Sequence, residues 1–176
     1  MVQRDEYVEQ RIKKLNELRE KSIDPCRYFF DKKDASADIL DKFKYLKKGE
    51  GTDNNVSLAG RIMTFRPMGK TGFAHLQDEN GRIQIYIRED LVDQGDFFVF
   101  NKSDLGDIVG VKGTVFRTKK GEISVKVKEY KMLTKCIRPL PEKWHGLKDK
   151  EVRYRKRYLD LISNHDVKKV FFIRSK

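Results

Sequence analysis

Seven side chains able to stack on, or hydrogen-bond to, a flat polar ligand recur between residues 73 and 88: Phe73, His75, Gln77, Arg82, Gln84, Tyr86 and Arg88. Aromatic rings offer a face to an unpaired base, a guanidinium offers donors in a fixed fork, and a carboxamide offers both donor and acceptor to a Watson-Crick edge. The residues interleaved with them, Ala74, Leu76, Ile83, Ile85 and Ile87, are all apolar. Side chains two apart on a strand share a face, so the alternation predicts a β-hairpin with an apolar inner face and a ligand-competent outer one. Asn80-Gly81 lies between the arms and favours positive φ in a tight turn. A turn of two residues and one of four preserve the same pairing parity, so the division into faces does not depend on that choice.

Elsewhere the chain is poor in reactive groupings. Cys26 and Cys136 are far apart, and three scattered histidines supply no second half of a metal site, so both thiols read as reduced and structural. Neither a phosphate-cradling loop nor a nucleophile-base pair is present in the sequence. His75 reads as a polar surface residue, Trp144-His145 as a packing anchor, and Arg82 beside Glu79 as a base contact or a hairpin ion pair.

The 176 residues are 38% hydrophobic and 38% charged with a mean hydropathy of −0.71, which suits one medium domain plus an appendage. No apolar run approaches the ~20 residues needed to cross a bilayer, and the opening Met1-Val-Gln-Arg-Asp-Glu lacks the apolar core of a secretory signal. A cytoplasmic location with no membrane partner is therefore expected. The net charge of +12 is unevenly placed: the basic excess is +1 over residues 1–60, +2 over 61–130 and +9 over 131–176. In the last stretch Arg153, Arg155, Lys156 and Arg157 alternate with Tyr154 and Tyr158, which suits either a solvated face or contact with phosphate or an acidic surface. The hairpin region is nearly neutral, so nucleic acid bound there must be held by stacking and hydrogen bonds more than by a strong field.

The elements that would position the hairpin follow from periodicity. Val8, Ile12, Leu15 and Leu18 recur at helical spacing within residues 5–20, and Asp24-Pro25 closes that helix. A second helix fits residues 37–46, with Ser36 as cap, Asp38 in the first turn and Ile39, Leu40, Phe43 and Leu46 as its apolar stripe. From Val56 the period becomes two: a long strand to Met68 with a bulge at Gly60, the hairpin strands, a helical insertion within residues 90–102, and strands over 106–116 and 122–133. The order β-β-β-(α)-β-β is that of a five-stranded Greek-key barrel, the OB-fold, so the expected class is mainly β with flanking helices. Its usual ligand face is formed by strands 2 and 3. Ile137-Arg-Pro-Leu-Pro141 then breaks the ladder, giving expected divisions of 1–55 helical, 56–136 barrel and 137–176 linker plus a further segment. Residues 147–162 read as helix, and Val167 to Ile173 begins another apolar pattern that stops at Lys176.

Gly60-Arg-Ile-Met, Met68-Gly-Lys, Gly81-Arg-Ile-Gln-Ile-Tyr86 and Leu105-Gly-Asp-Ile-Val-Gly110 resemble stretches of class II lysyl-tRNA synthetases. So, more specifically, does Arg138-Pro-Leu-Pro-Glu-Lys-Trp-His-Gly-Leu147 followed by Glu151-Val-Arg-Tyr-Arg-Lys-Arg-Tyr-Leu-Asp-Leu-Ile162. The related aspartyl and asparaginyl enzymes share the barrel but not this last series. The resemblance runs from the first helix to Lys176. It implies that the barrel binds the U-rich anticodon stem-loop of tRNA-Lys, with base-contacting positions at Arg66, Phe73, Gln84 and Glu122. Arg61, His75, Arg82 and Tyr86 are candidate additional RNA contacts.

A complete family member would be a homodimeric ligase joining lysine to tRNA with ATP and magnesium. The sequence ends before the family's three catalytic motifs, so the chain alone is expected to be inactive, to need no cofactor, to be monomeric and, beyond about Ser163, to be mobile or to dock non-natively on the barrel. Two other readings stand beside this one. One is a free-standing OB protein that binds single-stranded nucleic acid or tRNA. The other is a protein-interaction module whose basic tail docks an acidic partner.

Overall fold

A computed structural model describes residues 2–140 and 149–175, the side chains of residues 2–5 and 165 excepted. Two compact units are present, Met1–Arg138 and Pro139–Lys176. In the first, the alternating segments form β1 (Gly51–Met68), β2 (Thr71–Gln77), β3 (Arg82–Arg88), β4 (Ile108–Arg117) and β5 (Ile123–Thr134). They pair in the order β1-β2-β3-β5-β4, with β1 closing back onto β4, and every pair is antiparallel except β3 with β5. This closed five-stranded sheet with flanking helices is the OB-fold architecture expected from the element order. Ala74, Leu76, Ile83, Ile85 and Ile87 all point into its core, each no more than 1% exposed.

Strand β1 begins at Gly51 rather than Val56 and is shared, its first half pairing with β4 and its second with β2. The bulge expected at Gly60 lies further on, where the register shifts between Ile62 and Thr64. Gly60 serves a different purpose. A Cβ there would stand 2.9 Å from the Gln77 carbonyl oxygen, so the glycine permits close approach of two backbones.

The hairpin turn has four residues, Asp78 to Gly81, and neither Asn80 nor Gly81 adopts positive φ. The Asp78 carboxylate organises it, accepting the N–H groups of Asn80 at 2.9 Å and Gly81 at 2.8 Å. The same carboxylate accepts the Ser36 N–H at 2.8 Å and the Ser36 hydroxyl at 2.6 Å. Helix α2 (Ser36–Lys42) therefore starts on a cap supplied from the hairpin, with Ala35 at the N-cap position, instead of on Ser36 as cap. The helix is shorter than the expected 37–46, yet Ile39, Phe43 and Leu46 are buried as the stripe required.

Helix α1 (Val2–Glu20) docks through polar groups more than through its apolar stripe. Leu18 is fully buried, but Ile12 is 41% exposed and Arg11 is buried in its place. The Arg11 guanidinium donates to the Cys136 carbonyl at 2.6 Å, Lys14 to Asp104 at 2.6 Å, and Glu17 pairs with Lys102. The helix ends ahead of Asp24-Pro25, at Ser22 (φ 57°), where the Ile23 N–H donates to the Leu18 carbonyl at 3.0 Å.

The expected insertion is a 3₁₀ turn (Glu89–Leu91) followed by α3 (Gln94–Asn101), with Asp93 capping it by accepting the Gly95 N–H. Phe97, Val99 and Phe100 of α3 complete the core, and Phe100 lies 4.9 Å from Phe65 and 5.5 Å edge-on to Tyr130.

The second unit holds α4 (Lys150–Arg155), α5 (Arg157–Ser163) and α6 (His165–Arg174), so the single helix expected over 147–162 is divided at Lys156. Trp144 and His145 lie outside the described residues. Asp160 is buried and accepts from Arg153 and Arg157, each at 3.0 Å, which turns two of the basic residues inward. Both cysteines are free thiols, and among the described residues no helix is long and apolar enough to cross a membrane.

Candidate nucleic-acid interface

Strand register arranges the outward side chains in transverse rows across the sheet. One row runs Thr64, His75, Gln84, Ser124 and Phe116, crossing β1, β2, β3, β5 and β4 in turn. The next runs Arg66, Phe73, Tyr86, Lys126 and Thr114. The period-two pattern of the hairpin supplies the central members of each, and the pairing of β1, β4 and β5 supplies the flanks.

The second row is aromatic. Phe73 and Tyr86 are cross-strand partners with ring centroids 4.7 Å apart and planes tilted by 30°. Tyr86 in turn lies 5.9 Å from Phe116, and the Lys126 ammonium stands 5.9 Å from the Phe116 ring centre. Phe73 is partly open to solvent, held by Tyr86 on one side, while the exposed Arg66 pairs with it across β1 and β2. A base laid on Phe73 would meet a ring already fixed in orientation, with a cation beside it for phosphate or a base edge.

The first row is a hydrogen-bonded chain. Glu122, immediately ahead of β5, receives the Gln84 amide on Oε2 at 2.7 Å and approaches His75 Nε2 through Oε1 at 2.8 Å. The other end of the Gln84 carboxamide accepts the Ser124 hydroxyl at 2.8 Å, and Thr64 Oγ1 lies 2.6 Å from His75 Nδ1. Glu122 is held in place by its own loop: its N–H donates to the Thr118 hydroxyl at 3.0 Å and its carbonyl accepts the Thr118 N–H at 2.9 Å. Gly121, at φ 99°, makes that short loop possible.

Phe73, His75, Gln84, Tyr86 and Glu122 thus share one surface, with Arg66 at its edge. Arg82 lies one row beyond, paired with Gln77 at the turn end of β3. Arg61 is turned away, its guanidinium donating to the Gly106 carbonyl at 2.7 Å. Gln84, read from sequence as an open edge, has both ends of its amide engaged and keeps one N–H and one carbonyl lone pair free among the described residues. Sequence reasoning passed over Thr64, Phe116 and Ser124. Phe116 could have been found from parity, since Val111 and Val115 of the same strand face the core. Thr64 and Ser124 could not, because their roles depend on cross-strand register. No group of three or more metal-ligating side chains occurs among the described residues.

Residues 56–133 match the family described as OB-fold nucleic acid binding domain. Over 174 residues, 98% of the chain, the sequence is 49% identical to a lysine–tRNA ligase of Oceanobacillus iheyensis and 48% identical to that of Bacillus subtilis. A lysine–tRNA ligase of Fervidobacterium nodosum is 48% identical over 170 residues. The match covers 97% of the chain for the last of these, and 33–35% of each relative, so the chain spans about a third of their length.

Proposed function

We propose, from the match of residues 56–133 to the family described as OB-fold nucleic acid binding domain, that the chain recognises the U-rich anticodon loop of tRNA-Lys. Phe73 stacks a base, Gln84 reads its edge, Arg66 and Glu122 flank it, and Tyr86 and His75 support the first two from beside. Arg82 contributes a phosphate contact further along the loop, and Arg61 a smaller one that would require it to leave the Gly106 carbonyl. The observation that carries this reading is the placement of a partly open, ring-buttressed Phe73 next to an oriented carboxamide on one face of the sheet. Flat aromatic platforms with an adjacent polar edge suit unstacked bases, not a protein ridge.

The likeness to lysine–tRNA ligases along nearly the whole chain supports a wider assignment. In it, residues 1–55 are a helical segment packed on the barrel, 56–136 the anticodon-binding domain, and 137–176 a linker leading into the catalytic domain of a longer cytoplasmic, dimeric ligase. ATP and magnesium would serve that catalytic domain. A titration of the chain with an RNA stem-loop carrying a U-rich loop tests the core of the proposal. Phe73→Ala should weaken binding by ~1 to 3 kcal/mol if the ring stacks a base. Equal affinities of the two proteins would overturn it.

A further inference from the structure

The hydrogen-bonded row beneath the proposed base site has a direction that chemistry determines. A carboxylate only accepts, so the groups facing Glu122 must both donate: the Gln84 amide nitrogen at Oε2 and His75 Nε2–H at Oε1. The Thr64 oxygen accepts the backbone N–H of His75 at 3.1 Å and stands 2.6 Å from Nδ1 of the same residue's ring, so the ring is held at both nitrogens. At the far end Ser124, fully buried, donates its hydroxyl to Gln84 Oε1. Turning the Gln84 amide over would set its oxygen against the carboxylate. The N–H and the lone pair of Gln84 that stay free among the described residues are therefore held in one order.

That order is what separates two pyrimidines. Uracil presents a carbonyl acceptor beside an N3–H donor, whereas cytosine presents an amino donor beside an N3 acceptor. A base held in place by stacking can engage both groups of a fixed amide only if its own order is complementary, while a freely turning amide would serve either. Building on the function proposed above, we infer that His75 and Ser124 are positioning residues that set the choice between uridine and cytidine, His75 by orienting Glu122 and Ser124 by holding the Gln84 carbonyl.

The test compares the full chain and its variants in titrations with two RNA stem-loops that differ only in uridine or cytidine at the central loop position. The unaltered protein should prefer uridine by about tenfold or more, and His75→Ala and Ser124→Ala should each bring the preference within about threefold. His75→Gln, which can still donate to Glu122, should recover part of it. A purely structural contribution would weaken both RNAs alike and leave the ratio untouched, so an unchanged ratio in folded His75→Ala and Ser124→Ala overturns the inference while leaving RNA binding intact. Ser124→Ala adds no volume and keeps the test open should His75→Ala fail to fold. Absence of binding to either RNA by the unaltered protein would overturn the proposed function and this inference with it.

Discussion

Lys135 shows how far a residue's role can lie from its appearance in the sequence. It belongs to the strongly basic stretch after residue 130, yet its side chain is 1% exposed. All three ammonium hydrogens have acceptors: Asp104 at 2.6 Å, Asp107 at 2.7 Å and the Lys102 carbonyl at 2.9 Å. Asp107 is itself fully buried and also accepts the N–H groups of Asp104 and Cys136. Burial works against ionisation of Asp104, but Lys135 and Lys14 outweigh it and hold its carboxyl below the usual carboxylate range. The cluster joins the end of β5 to α1 and to the loop before β4. Lys135→Met keeps the volume but strands a buried carboxylate, so it should cost about 3 to 5 kcal/mol in urea denaturation. A loss below about 1 kcal/mol would mean that water replaces the ammonium at no great cost.

At the scale of elements, the β2–β3 turn and α2 form a single device centred on Asp78. Burial raises the cost of its charge, yet hydrogen bonds from the Ser36 side chain and from the backbone of Ser36, Gly81 and Asn80 prevail and lower its pKa. A carboxyl whose pKa is lower folded than unfolded adds stability above the unfolded value of about 3.9, and that contribution disappears as pH falls through the folded value. Asp78→Asn should therefore lose about 1 kcal/mol at pH 7, the scale of a helix cap, with the gap from the unaltered protein closing toward pH 2. Paired denaturation curves at the two pH values check this, and a gap independent of pH would mean that the carboxylate charge is not what holds the turn and helix together.

For the whole molecule, the question is whether charge or stacking dominates binding. The proposed face carries Arg66 and Lys126, with Lys119 and Lys120 in the adjacent loop, while residues 61–130 as a whole have an excess of only two positive charges. Part of the larger excess beyond residue 130 is internally committed, with Lys135 buried and Arg153 and Arg157 paired with Asp160. About three to four phosphate contacts would give a slope of log K against log salt of roughly −2 to −3 for a single strand. Titrations across a salt series measure it. A slope steeper than about −5 would show that phosphate contacts dominate and that the aromatic row is secondary.

The sequence by itself determined the strands, their order and which side chains face outward, because the two-residue alternation of a strand is a local property that any pairing must respect. Phe73, Gln84 and Tyr86 were legible as one surface for that reason, and residues 90–102 were legible as helical because the alternation fails there. Only the tertiary structure decided what those side chains do to one another. The bonds of Gln84 and His75 to Glu122 and of Ser124 to Gln84 span 38 to 47 positions of chain, so no local period records the contacts that orient the amide. The polar docking of α1, the burial of Lys135 and the Asp78 cap escaped for the same cause. Apolar burial repeats with the element's period, whereas a hydrogen bond or ion pair needs one partner at one place, and that place exists only after the sheet has closed.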